Sequence, residues 1–171
     1  EFYNQQYKTN YFTLMPCNLY GPYDNFDTNK SHFIPALIKK FVNAKRKKKK
    51  EVEIWGSGEP RREVMHVDDL ADVIGYLLKL KINNNKKLLN FIKLDSLINV
   101  GSGQEFKIKK FAQIINKITS SNKKLKFNRN FPDGTKRKVL DISIIKKLGW
   151  KPKINLINGL EQTIHWYQSN Y

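Results

Sequence analysis

The feature that most constrains this chain is its alternation of short apolar runs with longer amphipathic ones. Residues 11–21, "YFTLMPCNLYG", alternate apolar positions and end at Gly21-Pro22, the pattern of a buried strand running into a turn. A helical pattern over 32–45 follows. Its expected N-cap is Ser31, Pro35 falls in the first turn, and Phe33, Leu37, Phe41 and Ala44 form the buried stripe. The same sequence of signals recurs downstream. "EVEIW" at 51–55 reads as a strand and "GSGEPRRE" as the loop after it. "HVDDLADVIGYLLKL" reads as a helix capped by Asp68 or Asp69. Residues 82–95 read as an exposed insertion. "LINVGSG" is a strand ending in a glycine turn, followed by the amphipathic helix "IKKFAQIINKIT". "KLKF" is a short strand and "PDGTKRKVLD" a turn with an extended piece. Two helices close the chain, the first with Gly149 near its C-cap. Strands alternating with helices place the chain in the α/β class.

Composition bounds the function classes. The chain has 171 residues, 40% of them hydrophobic and 12% aromatic, enough for a packed core and unlike a disordered segment. No apolar run approaches the length of a membrane span, and the opening residues read as mid-helix, as in a piece of something longer. Cys17 is the one cysteine, so no intrachain disulfide forms, and three scattered histidines show no metal-ligand spacing. A reducing, cytoplasmic setting is expected. The net charge of +17 comes from 32 basic and 15 acidic residues and attracts polyanions. One alternative is therefore a basic nucleic-acid-binding module. Against it, the excess is lysine mixed with asparagine, its densest run at 45–50 reads as a solvated loop, and no recognition helix or aromatic interleaving accompanies it.

Several stretches carry possible chemistry. Asn18-Leu19-Tyr20-Gly21-Pro22 ends a strand, at the edge where open α/β sheets bind ligands, although a plain strand-to-turn join looks the same. His32 stands at a helix start, as an acid/base group or as a solvent-facing histidine. Residues 32, 36 and 40 share a helix face, Ala36 leaves room, and His32 and Lys40 lie about 12 Å apart along the axis. Trp55 and the glycines after it precede Arg62, which can grip a diphosphate through two parallel hydrogen bonds; Trp55 can equally be a core residue. "PDGTKRK" joins a tight turn to three cations, as a phosphate or nucleotide clamp or as a solvated hairpin.

Together, "PCNLYGPYDNF", "SHFIPALIKKF", "WGSGEPRREVMHVDDLA", "INVGSG" and "PDGTKRKVLD" resemble the GDP-L-fucose synthase family of extended short-chain dehydrogenase/reductases, in order and spacing and over essentially the whole chain. The resemblance implies an NADP(H)-dependent 3,5-epimerase and 4-reductase acting on GDP-4-keto-6-deoxy-D-mannose. The expected architecture is the C-terminal substrate-binding domain plus the last part of the Rossmann sheet. Residues 1–30 would be the remnant of the NADP-binding domain and 31–171 mainly the substrate domain, with elements around 64–101 packing back on the Rossmann sheet. It assigns Pro16, Cys17, Asn18, Leu19 and His32 to the cofactor, His32 to proton transfer, and Lys40, Trp55, Arg62 and Lys124 to the substrate. The family's glycine-rich cofactor loop, catalytic serine, Tyr-x-x-x-Lys pair and epimerisation cysteine have no counterpart, and Cys17 is not that cysteine. The segment is therefore expected to be inactive alone. The implied partners are a GDP-sugar and, for the longer protein, a second copy in a homodimer, with no membrane and no metal. A different sugar-nucleotide epimerase or dehydratase of the same superfamily is the other enzymatic alternative.

Overall fold

The computed structural model describes residues 2–27, 30–83, 85–94 and 96–171. After α1 (Phe2–Tyr7), the first apolar run is broken at Cys17 into β1 (Thr13–Pro16) and β2 (Asn18–Tyr20). Then come α2 (Phe33–Arg46), β3 (Glu51–Trp55), β4 (Arg61–His66) and α3 (Val67–Ile82). The next stretch holds α4 (Lys86–Leu94), β5 (Leu97–Val100), β6 (Glu105–Lys107) and α5 (Ile108–Ile118). The chain ends with β7 (Lys124–Asn128), β8 (Arg137–Lys138), α6 (Ser143–Lys147) and α7 (Leu156–Asn170).

Most strand pairs are parallel, as crossover helices require. β1 lies beside β5, from Thr13↔Leu97 to Pro16↔Val100. β2 lies beside β4, from Asn18↔Val64 to Tyr20↔His66. β3 pairs with β7, from Glu51↔Lys124 to Trp55↔Asn128. β4 also takes β6 antiparallel and β8 parallel, the latter setting Arg62 against Lys138. The C-terminal ends of β1 and β2 thus stand with those of β5 and β4.

Two buried clusters form. One packs α2, α5 and α7 around β3, with Phe41, Phe111, Ile115 and Leu160 fully enclosed. The other packs α3, α4 and α6 around β5, with Leu77, Ile98 and Ile145 fully enclosed. β4 serves both: Val64 belongs to the first and Met65 to the second, as consecutive strand residues point to opposite faces.

The structure corrects the local reading in several places. Residues 61–63, read as the end of a loop, begin a strand that runs to His66; β4 is buried on both faces over its last four residues, so no alternation marked it. The expected insertion at 82–95 contains α4, whose Leu88 and Ile92 are completely enclosed in the second cluster. Asparagines and lysines around that pair hid its i, i+4 spacing, and positions 84 and 95 lie outside the described residues. The run at 11–21 is not one buried strand: β1 is largely exposed and leaves Met15 at the surface. The cap of α2 is His32, not Ser31, and the buried stripe is wider, taking in Ile34, Ile38 and Val42, while Phe33 is only half-buried. The cap of α3 is His66, whose Nδ1 accepts from the Asp68 N–H at 3.3 Å. Asp69 is instead buried and accepts from the Lys153 and Ile154 N–H groups, at 2.9 and 3.2 Å, tying α3 to the approach to α7.

Candidate functional site

Pro16, Cys17, Asn18 and Leu19 step from one parallel strand pair to the next. Pro16 is exposed and the other three are half-buried. The Cys17 N–H reaches back to the Val100 carbonyl at 2.8 Å. Burial and, second, the Glu63 carboxylate push the Cys17 thiol up to about 12, so it stays protonated and is a poor nucleophile near neutrality. The Asn18 side-chain amide has no hydrogen-bond partner among the described residues.

His32 is exposed, with extended backbone at φ −67°, ψ 168°. Its carbonyl opens α2 by accepting from the Ala36 N–H at 3.0 Å, while its imidazole makes no cap bond. Asp24 lies near it: burial raises that carboxyl, and the Asn25 N–H and His32 pull it partway back. Ser31, expected as a cap, turns its hydroxyl inward, where it is buried without a partner among the described residues.

Between α2 and β3 lies a cavity of about 580 Å³, lined by Ser31, Phe33, Ala36, Lys40, Glu53 and Trp55 among others. The structure thus brings Lys40 and Trp55 together, while His32 stands just outside the lining, between Ser31 and Phe33. Lys40 Nζ sits 4.6 Å from the Trp55 ring centroid and donates to the Glu53 carbonyl at 3.0 Å. Burial lowers the pKa of Lys40, and the Glu53 carboxylate opposes that shift. Trp55 is 54% exposed, so the core reading of it fails. Its ring stacks on Phe131, 4.5 Å between centroids and 14° between planes, leaving an aromatic ledge at the rim.

Arg62 is half-buried and donates from Nη1 to the Arg61 carbonyl at 2.9 Å and the Thr135 carbonyl at 2.7 Å. The turn before β8 is latched over the glycine loop: Asp133 accepts from the Ser57 N–H at 2.6 Å and the Ser57 hydroxyl at 2.7 Å. Gly56 permits this with φ of +80°, and a side chain there would collide with Asp133. Of the three cations of "PDGTKRK", Lys138 lies directly across from Arg62 in the sheet register and Arg137 across from Arg61. Arg137 is engaged with Glu105 at 2.9 Å. Lys124 is elsewhere. It begins β7 opposite Glu51, four residues from Asn128, which faces Trp55. At about 3.3 Å per residue that is roughly 13 Å away, toward the opposite end of the strand pair. The sequence reading missed Lys138 as an individual residue, although the turn-plus-cation signal contained it.

Comparison with known proteins places these residues in context. Residues 1–91 match the model of the NAD dependent epimerase/dehydratase family. A protein of Oryza sativa subsp. japonica named probable GDP-L-fucose synthase 1 is 42% identical over 168 residues, 98% of this chain and 48% of its own length. The GDP-L-fucose synthase of Escherichia coli K12 is 40% identical over 174 residues, 99% of this chain and 52% of its own. The chain therefore spans about half the length of the curated relatives it matches. Among solved structures, the GDP-mannoheptose C4 reductase of Campylobacter jejuni with NADP bound is 35% identical with a TM-score of 0.81, over 98% of this chain and 56% of that one.

Proposed function

This chain belongs to the NAD dependent epimerase/dehydratase family, and from that premise we propose that it forms the substrate-binding half of an NADP(H)-dependent GDP-sugar epimerase and reductase. The specific reaction in this reading is synthesis of GDP-L-fucose from GDP-4-keto-6-deoxy-D-mannose. The observation that carries it is the identity of about 40% to relatives named GDP-L-fucose synthase, sustained over nearly the whole chain. In this reading the second cluster, with Phe12, Leu14, Cys17 and Leu19 packed on it, belongs to the cofactor side, and the first cluster, which takes in Tyr20 and Phe26 at the end of residues 1–30, to the substrate side. A homodimer of the longer protein and a cytoplasmic setting are part of the same proposal; among the described residues no helix is long and apolar enough to cross a membrane.

The residues fit such a role. Pro16, Cys17, Asn18, Leu19 and His32 would border the nicotinamide end of the cofactor; the Asn18 amide, without a partner among the described residues, follows the C-terminal end of β1 at Pro16 and suits a polar ring substituent. NADP(H), when bound, supplies the hydride for C4. His32 moves a proton at the carbons flanking the C4 ketone, which needs a group on each face of the sugar, and its exposed imidazole, which makes no cap bond, is available for one of them. Lys40, with its depressed pKa, and the Trp55 ledge receive the nucleotide, and Arg62 grips the diphosphate. The further cation in this reading is Lys138, in preference to Lys124, because of its register with Arg62.

Two measurements test the proposal. The 171-residue chain should bind GDP in preference to UDP and dTDP, yet give no turnover with NADPH and the keto-sugar; turnover by this chain would refute the half-site assignment. In the longer protein, His32→Gln should reduce epimerisation by about 100-fold or more while the fold persists. Full epimerase activity in that variant would remove His32 from the chemistry. A second reading, reduction of a GDP-heptose at C4, is favoured by the likeness to the C. jejuni reductase. Comparing kcat/KM for the two keto-sugars separates them.

A further inference from the structure

We propose that Glu63 is a positioning residue for diphosphate binding: its buried carboxylate holds two loops so that Lys138 stands opposite Arg62. The inference rests on the nucleotide-sugar reading above. Glu63 follows Arg62 on β4 and is 1% exposed. A carboxylate removed from water is costly unless hydrogen bonds satisfy it. Each of its oxygens has one: Oε1 accepts from the Gly103 N–H at 2.7 Å and Oε2 from the Leu140 N–H at 2.9 Å. No lysine or arginine within ion-pair distance neutralises it among the described residues. Its two bonds are therefore all that repays its burial there, and both go to backbone.

Those two bonds act at a distance from Glu63. Beyond the β4–β8 pairing itself, the segment carrying Lys136, Arg137 and Lys138 is pinned to β4 at three further points. The Arg61 N–H donates to the Lys136 carbonyl at 2.9 Å, Arg62 Nη1 donates to the Thr135 carbonyl at 2.7 Å, and Glu63 receives Leu140. Without the third, the end of the segment just beyond Lys138 loses its anchor. The other oxygen shapes the "GSG" turn. A side chain at Gly101 would run into the Glu63 carboxylate, and Gly103 takes φ of +70° with its N–H on Oε1. Gly101 thus leaves room for a buried carboxyl group whose two oxygens each accept from a backbone N–H, one of them that of Gly103. Glutamine would turn an N–H against one of the two backbone donors.

The test measures GDP and guanosine affinities of the chain, by tryptophan fluorescence, with Glu63→Gln and Leu140→Pro. Proline removes the N–H that Glu63 receives and also the Leu140 side chain packed on the second cluster, so Leu140→Ala, which keeps the N–H, is the control and should bind GDP as the parent does. Glu63→Gln and Leu140→Pro should each lose roughly tenfold in GDP affinity, about the effect of one misplaced charge-assisted hydrogen bond, with guanosine affinity unchanged. Lys138→Ala should lose a similar factor, and adding Leu140→Pro to it should cost no more. Wild-type GDP affinity in folded Glu63→Gln and Leu140→Pro, or parallel losses for GDP and guanosine, would mean Glu63 is structural only and overturn the inference alone. If Glu63→Gln does not fold, the Leu140→Pro titration decides. A parent chain that binds no GDP overturns the nucleotide-sugar reading, and this inference with it.

Discussion

The two buried clusters are of similar quality inside but were built from very different sequence signals. In the first, α2 and α5 lay one apolar stripe each against β3 and β7, and both strands are exposed on their other side. Such half-buried elements carry their period openly: β3 alternates exposed and buried residues without a break. The second depends on elements that do not. β1 is an edge strand paired, among the described residues, only with β5. β4 is covered on both faces, and α4 contributes one enclosed pair, Leu88 and Ile92, within a lysine- and asparagine-rich stretch. Periodicity reports a boundary between core and water. Where an element lies wholly on one side of that boundary, or buries two residues in passing, the period fades.

The largest expected effect tests whether the clusters are equally load-sensitive. Phe41→Ala in the first should cost about 3–5 kcal/mol and Ile92→Ala in the second about 2–5 kcal/mol, read by denaturant unfolding. An Ile92→Ala cost below about 0.5 kcal/mol would return residues 82–95 to the status of an exposed insertion and leave the second cluster smaller than drawn here.

A smaller effect lies at the junction of the two. His66 is buried beside Tyr20, with its Nδ1 already accepting from the Asp68 N–H. Burial lowers its pKa below the usual 6.5, with Asp68 and Asp69 opposing the shift. The folded state then binds fewer protons than the unfolded one just below that value. Stability therefore rises with pH through this window, and is lost as pH falls from about 6.5 toward the depressed folded-state value. His66→Asn keeps a capping acceptor and should flatten that slope between pH 7 and 5, measured as the thermal midpoint against pH. An unchanged slope would assign the acid sensitivity to other groups.

The smallest effect should be on the surface of the first cluster. Lys126 and Glu51 lie 3.2 Å apart across the β3–β7 pair, but both side chains are largely exposed. Lys126→Ala should change stability by less than about 0.5 kcal/mol, since solvent screens the pair. A loss above 1 kcal/mol would mean that the charges on this sheet matter to folding as its apolar face does.

Legibility of the candidate site followed the same division. Lys40, Trp55 and Arg62 could be picked out because each sits within a run of turn residues or on an amphipathic helix whose face is countable. Lys138 could not be told from its neighbours Lys136 and Arg137, because what distinguishes it is its position across a strand pair from Arg62. Lys124 was assigned to the site by the family resemblance alone, and the register of β3 with β7 sets it at the far end of that strand pair. Ser31 looked like a helix cap from its place before Pro35. The backbone gives that position to His32 and leaves the serine hydroxyl buried by the groove.

By itself, the sequence determined the α/β class, most helices and half-buried strands, the turns at Gly21-Pro22 and Gly149, and the motif order that identifies the family. These are set by interactions between residues close in the chain, where steric limits and the 2.0- and 3.6-residue periods act directly. Only the tertiary structure decided which strands pair, that Asp69 and Glu63 are buried carboxylates serving distant backbone, and that Lys138 stands across from Arg62. Those depend on contacts between segments far apart in sequence. Their energies come from desolvated hydrogen bonds and packed faces that no local pattern records.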